Sequence, residues 1–364
     1  MSGASKAGCL RAALLALAVA VPGGTASAGD VCPQEKWEYV APASAGWSGE
    51  GLARVEDYLK TLDTKGLVIV QDGRVIYEYG QPHASREIAS MRKSVLSILV
   101  GIQHDRGKIK LDKTLAQMGI VEDKTGALTA DEQGATTEQL LEARGCIYLP
   151  SVGLPESWVA GMPARSSCKP GERWYYNNWD FNALAEVFRQ QSGSDLFDAL
   201  KTDLAEPLQF EDFSKWIDTR YRNGVESRFP LYEMRISNAD LARIGLLMAR
   251  GGDWCGKRIV SREWVERSTR PISKTTVRNL DYGYLWWVAE RSQQVTFFGN
   301  KPPGRSFAAL GAGGQYVFVN PELQLVVTHT VDRENKRAAR EVGYTSFGKL
   351  LGLILEARGN PAGT

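Results

Sequence analysis

The chain is poor in histidine. Its three histidines, His83, His104 and His329, are scattered, with no pair at metal-ligand spacing. It has no Walker loop and no dinucleotide fingerprint, so neither a metal nor a cofactor is expected. A Ser-His-Asp triad can be written on paper, but no G-x-S-x-G elbow exists to seat its serine. No basic block or aromatic–basic interleaving suggests a nucleic-acid groove. Long apolar runs are also missing. Ala12 to Val21 is too short to span a bilayer comfortably; it follows Lys6 and Arg11 and precedes Ala26-Ser27-Ala28. That layout is expected of a signal peptide over residues 1–28, giving a periplasmic or secreted protein with no stable membrane insertion after cleavage. Cys9 precedes the apolar run and is badly placed for a lipoprotein cysteine.

What remains is ordinary for a soluble globular protein. The 364 residues are 43% hydrophobic and 24% charged, enough for a sizeable core and one or two domains. Without the leader the chain carries 42 basic and 42 acidic residues. Four cysteines remain: Cys32, Cys146, Cys168 and Cys255. In an exported protein an even count favours disulfides, with three possible pairings that sequence cannot separate. Cys146 with Cys168 would close a loop within one region, and Cys32 with Cys255 would tie the N-terminus down. Four buried free thiols are the alternative.

Periodicity divides the chain. Leu52, Val55, Tyr58, Leu59 and Leu62 follow helical spacing. Leu67 to Gln71 and Arg74 to Tyr79 are β-rich runs joined by Asp72-Gly73, a strong hairpin signal. From about 102 to 269 helical patterns dominate. They include a short capped helix over Thr137 to Glu142 and amphipathic helices over Phe181 to Ser192 and Ile236 to Arg250, the last ended by Gly251-Gly252. Pro150 to Pro170 is expected to be a long loop, and such length is often functional. The period then changes. Tyr282 to Val288, Gln294 to Phe298, Phe307 to Leu310, Gln315 to Val319 and Leu325 to Thr330 are expected strands, before an apolar helix over Tyr344 to Ala357. An α+β fold follows, with one antiparallel sheet drawn from both chain ends, flanked by helices, and an inserted mainly helical region. The expected division is 29–89 with 270–364 for the sheet domain and 90–269 for the helical region.

Candidate chemistry starts at Ser90-Met91-Arg92-Lys93. If a helix begins at Ser90, the serine sits in a first turn of unpaired backbone N–H groups, where anions are favoured. Lys93 is its same-face neighbour three residues on, and Val95, Leu96, Leu99 and Val100 give the helix an apolar stripe. A nucleophile needs a positioned base beside it, and this spacing supplies one. Ser166 and Lys169 repeat the spacing, but in a loop. A second piece is Tyr176-Asn177-Asn178, just before a helix. A tyrosine held between Lys93 and Ser90 could accept the serine proton and pass it to a leaving group. Asn178 could hydrogen-bond the lysine or a substrate amide. The third piece is Gly311-Ala312-Gly313-Gly314, running into a strand, where glycines let a ligand approach backbone N–H groups. The amides of Ser90 and Ala312 could then form a two-donor oxyanion hole. Trp174, Trp179, Trp286 and Trp287 either line an apolar acyl pocket or belong to the core.

In this order, Ser90-x-x-Lys93, Tyr176-x-Asn178 and the glycine-rich segment 311–314 resemble the serine β-lactamase and penicillin-binding-protein superfamily over nearly the whole mature chain. The chain looks most like the class C β-lactamase-related esterases and 6-aminohexanoate-dimer hydrolases. Supporting stretches are Lys93 to Ile102, Tyr176 to Phe181, Asp240 to Gly245, Tyr282 to Trp287 and Gly313 to Tyr316. The resemblance implies a β-lactamase/transpeptidase-like fold. It implies Ser90 as the acylated nucleophile, Lys93 as its proton acceptor or activator, Tyr176 as shared acid and base, and Ala312 N–H as an oxyanion donor. Asn178, Gly311 and Gly313 would contact substrate.

One departure narrows the substrate. Where β-lactamases carry Lys-Thr-Gly, whose first two residues help bind the β-lactam carboxylate, this chain reads Ala309-Leu310-Gly311. Lys124-Thr125-Gly126 precedes Tyr176, in a region read as helical, and is a decoy. The expected activity is an exported serine hydrolase acting on a small-molecule ester or amide, short amide oligomers among them. The alternatives are a D-peptidase or weak β-lactamase acting on peptidoglycan-like substrates, and a non-catalytic binding protein of the same fold.

Overall fold

The computed structural model describes Met1 and residues 31–275, 277, 279–290, 296–334 and 341–359. Apart from Met1 the expected signal peptide lies outside these residues, as does the start of the strand expected from Gln294. The helices are α1 (Gly49–Leu59), α2 (Met91–Asp105), α3 (Ala130–Gln133), α4 (Thr137–Leu141), α5 (Glu156–Val159), α6 (Asn178–Ser192), α7 (Leu196–Ala199), α8 (Lys215–Asp218), α9 (Asn238–Ala249), α10 (Arg262–Ser268) and α11 (Tyr344–Ala357). The strands are β1 (Gly66–Gln71), β2 (Arg74–Gly80), β3 (Arg86–Glu87), β4 (Thr219–Arg222), β5 (Leu231–Ile236), β6 (Asp253–Trp254), β7 (Lys257–Arg258), β8 (Ser273–Lys274), β9 (Asp281–Tyr282), β10 (Trp287–Glu290), β11 (Arg305–Gly311), β12 (Gln315–Asn320) and β13 (Leu325–Thr330).

The main sheet is antiparallel and runs β2-β1-β13-β12-β11-β10-β9-β8. It is drawn from both chain ends, as expected. Asp72 at φ 53° and Gly73 at φ 82° make the left-handed two-residue turn that joins β1 to β2. Side chains alternate across the sheet, which gives it two covered faces. On β12, Tyr316 stacks on Phe347 of α11 with ring centroids 4.1 Å apart. Its neighbour Val317 lies with Met91 and Val95 of α2 and Leu241 and Ile244 of α9. Helices α1 and α11 therefore cover one face, and α2 and α9 the other. Gly245 lets α9 come down onto the sheet, because a β-carbon there would run into Val326.

Some expectations need correcting. The stretch Tyr282 to Val288 is not one strand: the chain turns at Gly283–Trp286, with Leu285 at φ 62°, and β9 pairs back on β10 through Tyr282 and Trp287. Gly283 allows this, since a side chain there would collide with the Ser268 carbonyl. Phe297 forms an isolated bridge to Asn300 in place of a strand. Lys124-Thr125-Gly126 lies in a loop, not in a helix. The region read as helical also holds β4 and β5, which form a three-stranded sheet with β3, and the short pair β6 and β7. Within Pro150 to Pro170 the chain makes the single turn of α5. Both cysteine pairs are disulfides, Cys32–Cys255 and Cys146–Cys168. Among the described residues no helix is long and apolar enough to cross a membrane.

Candidate active site

Strand β3 delivers the chain to Ser90 through a tight turn. Ala89 takes φ 49°, a region an L-residue adopts at a cost, and its N–H donates to Glu87 Oε1 at 2.8 Å. The Met91 N–H then donates back to the Ile88 carbonyl, and α2 begins with Ser90 at its N-cap. The helix is buried nearly throughout, from Met91 to Gln103. The Ser94 hydroxyl donates to the Leu285 carbonyl at 2.7 Å, which locks the first turn to the β9–β10 connection.

The structure brings Lys93 and Ser90 together. Lys93 Nζ lies 2.9 Å from Ser90 Oγ, and Lys93 is only 2% exposed. The Nζ sits over two aromatic faces, 4.9 Å from the centroid of Tyr176 and 5.1 Å from that of Phe181. Burial pushes the Lys93 amine well below the usual lysine value. The neighbouring Arg92 guanidinium pushes the same way, and Glu87 opposes them.

Tyr176 enters from the turn before α6, within a cage of rings. Trp287 stacks on it at 5.7 Å, while Phe181, Tyr282 and Trp158 meet it edge-on at 4.9, 6.2 and 6.3 Å. Of the tryptophans considered, Trp174 and Trp287 belong to this cluster, and Trp287, Trp179 and Trp286 are all buried in the core. Asn177 caps α6 by accepting from the Trp179 N–H, and its amide donates to Asp180 and to the Ile147 carbonyl. Asp180 is fully buried, and burial holds its carboxyl well above the usual range. The Asn178 amide donates to the Gly153 carbonyl at 3.4 Å, and its Oδ1 is buried without a partner among the described residues. No bond joins Asn178 to Lys93.

The glycine segment forms the β11–β12 connection. A β-carbon at Gly311 would stand 2.6 Å from the Ile88 carbonyl oxygen and 3.1 Å from Ala89 Cβ, so the end of β11 lies directly against the residues leading into Ser90. Ala312 is exposed beyond it. Neither the Ser90 nor the Ala312 amide bonds to an acceptor among the described residues. Gly313, at φ 86°, has its N–H bonded to Glu341 and its carbonyl to the Val342 N–H. Ala309 and Leu310 are buried. Ser166 stands exposed in its loop, away from any such helix.

Sequence reasoning missed Glu87, Arg92 and Trp158. Arg92 is 4% exposed, its guanidinium 4.6 Å above the Tyr232 ring and its Nε unpartnered among the described residues. Glu87 bonds Ala89 N–H through one oxygen and pairs with Arg333 through the other.

A family model described as Beta-lactamase matches residues 52–346. Among curated proteins none matches the chain. Of solved structures, a protein described as a 6-aminohexanoate-dimer hydrolase from Bacillus anthracis superposes with a TM-score of 0.64 at 16% identity, covering 90% of this chain and 89% of that one. A penicillin-binding protein homolog from Caulobacter crescentus gives 0.62 at 15%, covering 86% and 99%. The octameric penicillin-binding protein homologue from Pyrococcus abyssi gives 0.60 at 19%, covering 86% and 78%. At these identities the likeness is one of fold.

Proposed function

The chain belongs to the beta-lactamase family, and on that premise we propose that it is an exported hydrolase that cleaves an ester or amide through an acyl-enzyme on Ser90. The observation that carries this reading is the Lys93 amine, buried on aromatic faces and 2.9 Å from Ser90 Oγ. A desolvated amine sheds its proton readily and can then act as a base at neutral pH. Ser90 Oγ attacks the carbonyl carbon while its proton passes to Lys93 or Tyr176. The carbonyl oxygen takes up the electron pair and accepts the Ser90 and Ala312 N–H groups. As the tetrahedral intermediate collapses, the bond to the leaving oxygen or nitrogen breaks and Tyr176 supplies that atom with a proton. Water, deprotonated by the same groups, then hydrolyses the acyl-enzyme and frees the acid.

Ala309 and Leu310, apolar and buried, offer nothing to a substrate carboxylate, which favours uncharged esters and amides over β-lactams. The two disulfides support an oxidising compartment. The test is labelling by a fluorophosphonate probe, with turnover of short p-nitrophenyl esters, in wild type and Ser90→Ala. The expected result is loss of both in the variant; labelling that survives unchanged overturns the reading.

A further inference from the structure

Trp158 is a bulky aromatic left in water. It is 48% exposed and its neighbour Val159 41%, on a one-turn helix inside a long loop. An exposed indole is not unusual by itself; its location is what matters. The loop is pinned on both sides of it. Cys146–Cys168 closes its base, and Arg165 donates to the buried Glu132 carboxylate at 3.0 and 2.7 Å and to the Ala127 carbonyl at 2.6 Å. The indole is thus held against the edge of Tyr176, at 6.3 Å between ring centroids.

Among the described residues four rings meet Tyr176, and three of them are spent on the core: Phe181 is 0%, Tyr282 1% and Trp287 7% exposed. Trp158 alone among them presents surface to solvent. In the acyl-enzyme reading, Tyr176 protonates the departing atom, so that atom comes within hydrogen-bond reach of its hydroxyl. Any substituent on the departing atom then extends along the rings that flank Tyr176, and the one it can reach is Trp158.

We propose that Trp158 is the surface on which the substrate's leaving group packs, so that the protein selects esters and amides whose leaving group is apolar, aryl or extended alkyl, over small or strongly polar ones. This inference rests on the acyl-enzyme reading and adds a substrate class to it. Leaving-group contacts act before the acyl-enzyme forms; once the leaving group has gone they have nothing to touch. Trp158 therefore governs acylation and is silent in deacylation.

The test compares wild type, Trp158→Ala and Trp158→Phe on butyrate esters that share one acyl group: p-nitrophenyl, 4-methylumbelliferyl and methyl butyrate. For Trp158→Ala, kcat/KM for the two aryl esters is expected to fall about tenfold and that for methyl butyrate less than twofold. Trp158→Phe should recover most of the loss, and the deacylation rate of the butyryl-enzyme should be the same in all three proteins. An equal loss on all esters, no loss, or a changed deacylation rate overturns the inference while leaving the acyl-enzyme intact. Wild type that neither turns over any ester nor labels at Ser90 overturns the acyl-enzyme reading itself, and the inference with it.

Discussion

Gly311 lies so close to the Ile88 carbonyl oxygen that no side chain fits between them, and that approach sets the β11–β12 connection against the turn into Ser90. A methyl group at 311 would stand 2.6 Å from this backbone oxygen, which cannot swing aside as a side chain would. Gly311→Ala should therefore push Ala312 away from Ser90 and misplace one of the two proposed oxyanion donors. Loss of one such donor costs on the order of 10²–10³ in kcat. Steady-state kinetics on an aryl ester, with circular dichroism to confirm folding, checks this; near-wild-type kcat in a folded variant would remove Ala312 from the site.

The acid limb of kcat/KM should report Lys93. Its pKa is lowered first by burial and then by Arg92, against the pull of Glu87. Activity rises with pH as the amine loses its proton. Arg92→Met removes a neighbouring positive charge, raises the lysine pKa and moves the limb to higher pH; Glu87→Gln moves it to lower pH. Profiles of the three proteins on one ester decide it, and coincident limbs would place the titration elsewhere.

His329 is a buried neutral imidazole. Its Nδ1–H donates to the Gly314 carbonyl at 2.7 Å, which leaves Nε2 to accept from Thr64 Oγ1 at 2.8 Å. Burial pushes its pKa from 6.5 down to about 4. Between those values the unfolded chain binds a proton that the folded chain does not, so acid favours unfolding. Relative to His329→Gln, wild type should lose about 3 kcal/mol of stability as pH falls from 6.5 to 4. Urea denaturation of both proteins at pH 7 and pH 4.5 measures the gap, which should narrow in acid.

Cys146–Cys168 spans 22 residues, a closure that restricts the unfolded chain by about 3 kcal/mol in the chain-entropy model. The double variant Cys146→Ser/Cys168→Ser should melt earlier. It should also repeat the Trp158→Ala pattern, losing aryl esters more than methyl butyrate, because the loop that holds Trp158 loses its base. A variant that melts earlier yet keeps full aryl preference would show that Arg165 and Glu132 hold the indole unaided.

The sequence was most legible where one residue type has one physical use. Asp72-Gly73 can join two β-rich runs in few ways, and Ser90 with Lys93 on an apolar helix leaves both on one face. The β4–β5 pair is harder to read, because its period of two, Tyr232, Met234 and Ile236 alternating with Glu233 and Arg235, is short and set among helical patterns. The division of Tyr282 to Val288 into two strands was hidden for a different reason. Only a contact distant in sequence, Gly283 against Ser268, shows why the chain must turn there. Trp158 had no periodicity to mark it. Its place beside Tyr176 depends on a disulfide and an ion pair that bring distant residues together.

The β1–β13 pairing has a consequence for when the molecule becomes whole. Gly66 lies opposite Thr330 and Gln71 opposite Leu325, so two neighbouring strands in the interior of the sheet are separated by most of the polypeptide. During synthesis β1 emerges early and waits, its β13-facing edge open, until the last of the described strands arrives to pair with it. Such long-range closure is slow and leaves a sticky edge exposed. The Ser90 turn leans on β11, so it too is left unbraced during that interval. The sheet therefore closes, and the site is braced, only once the C-terminal strand has been made.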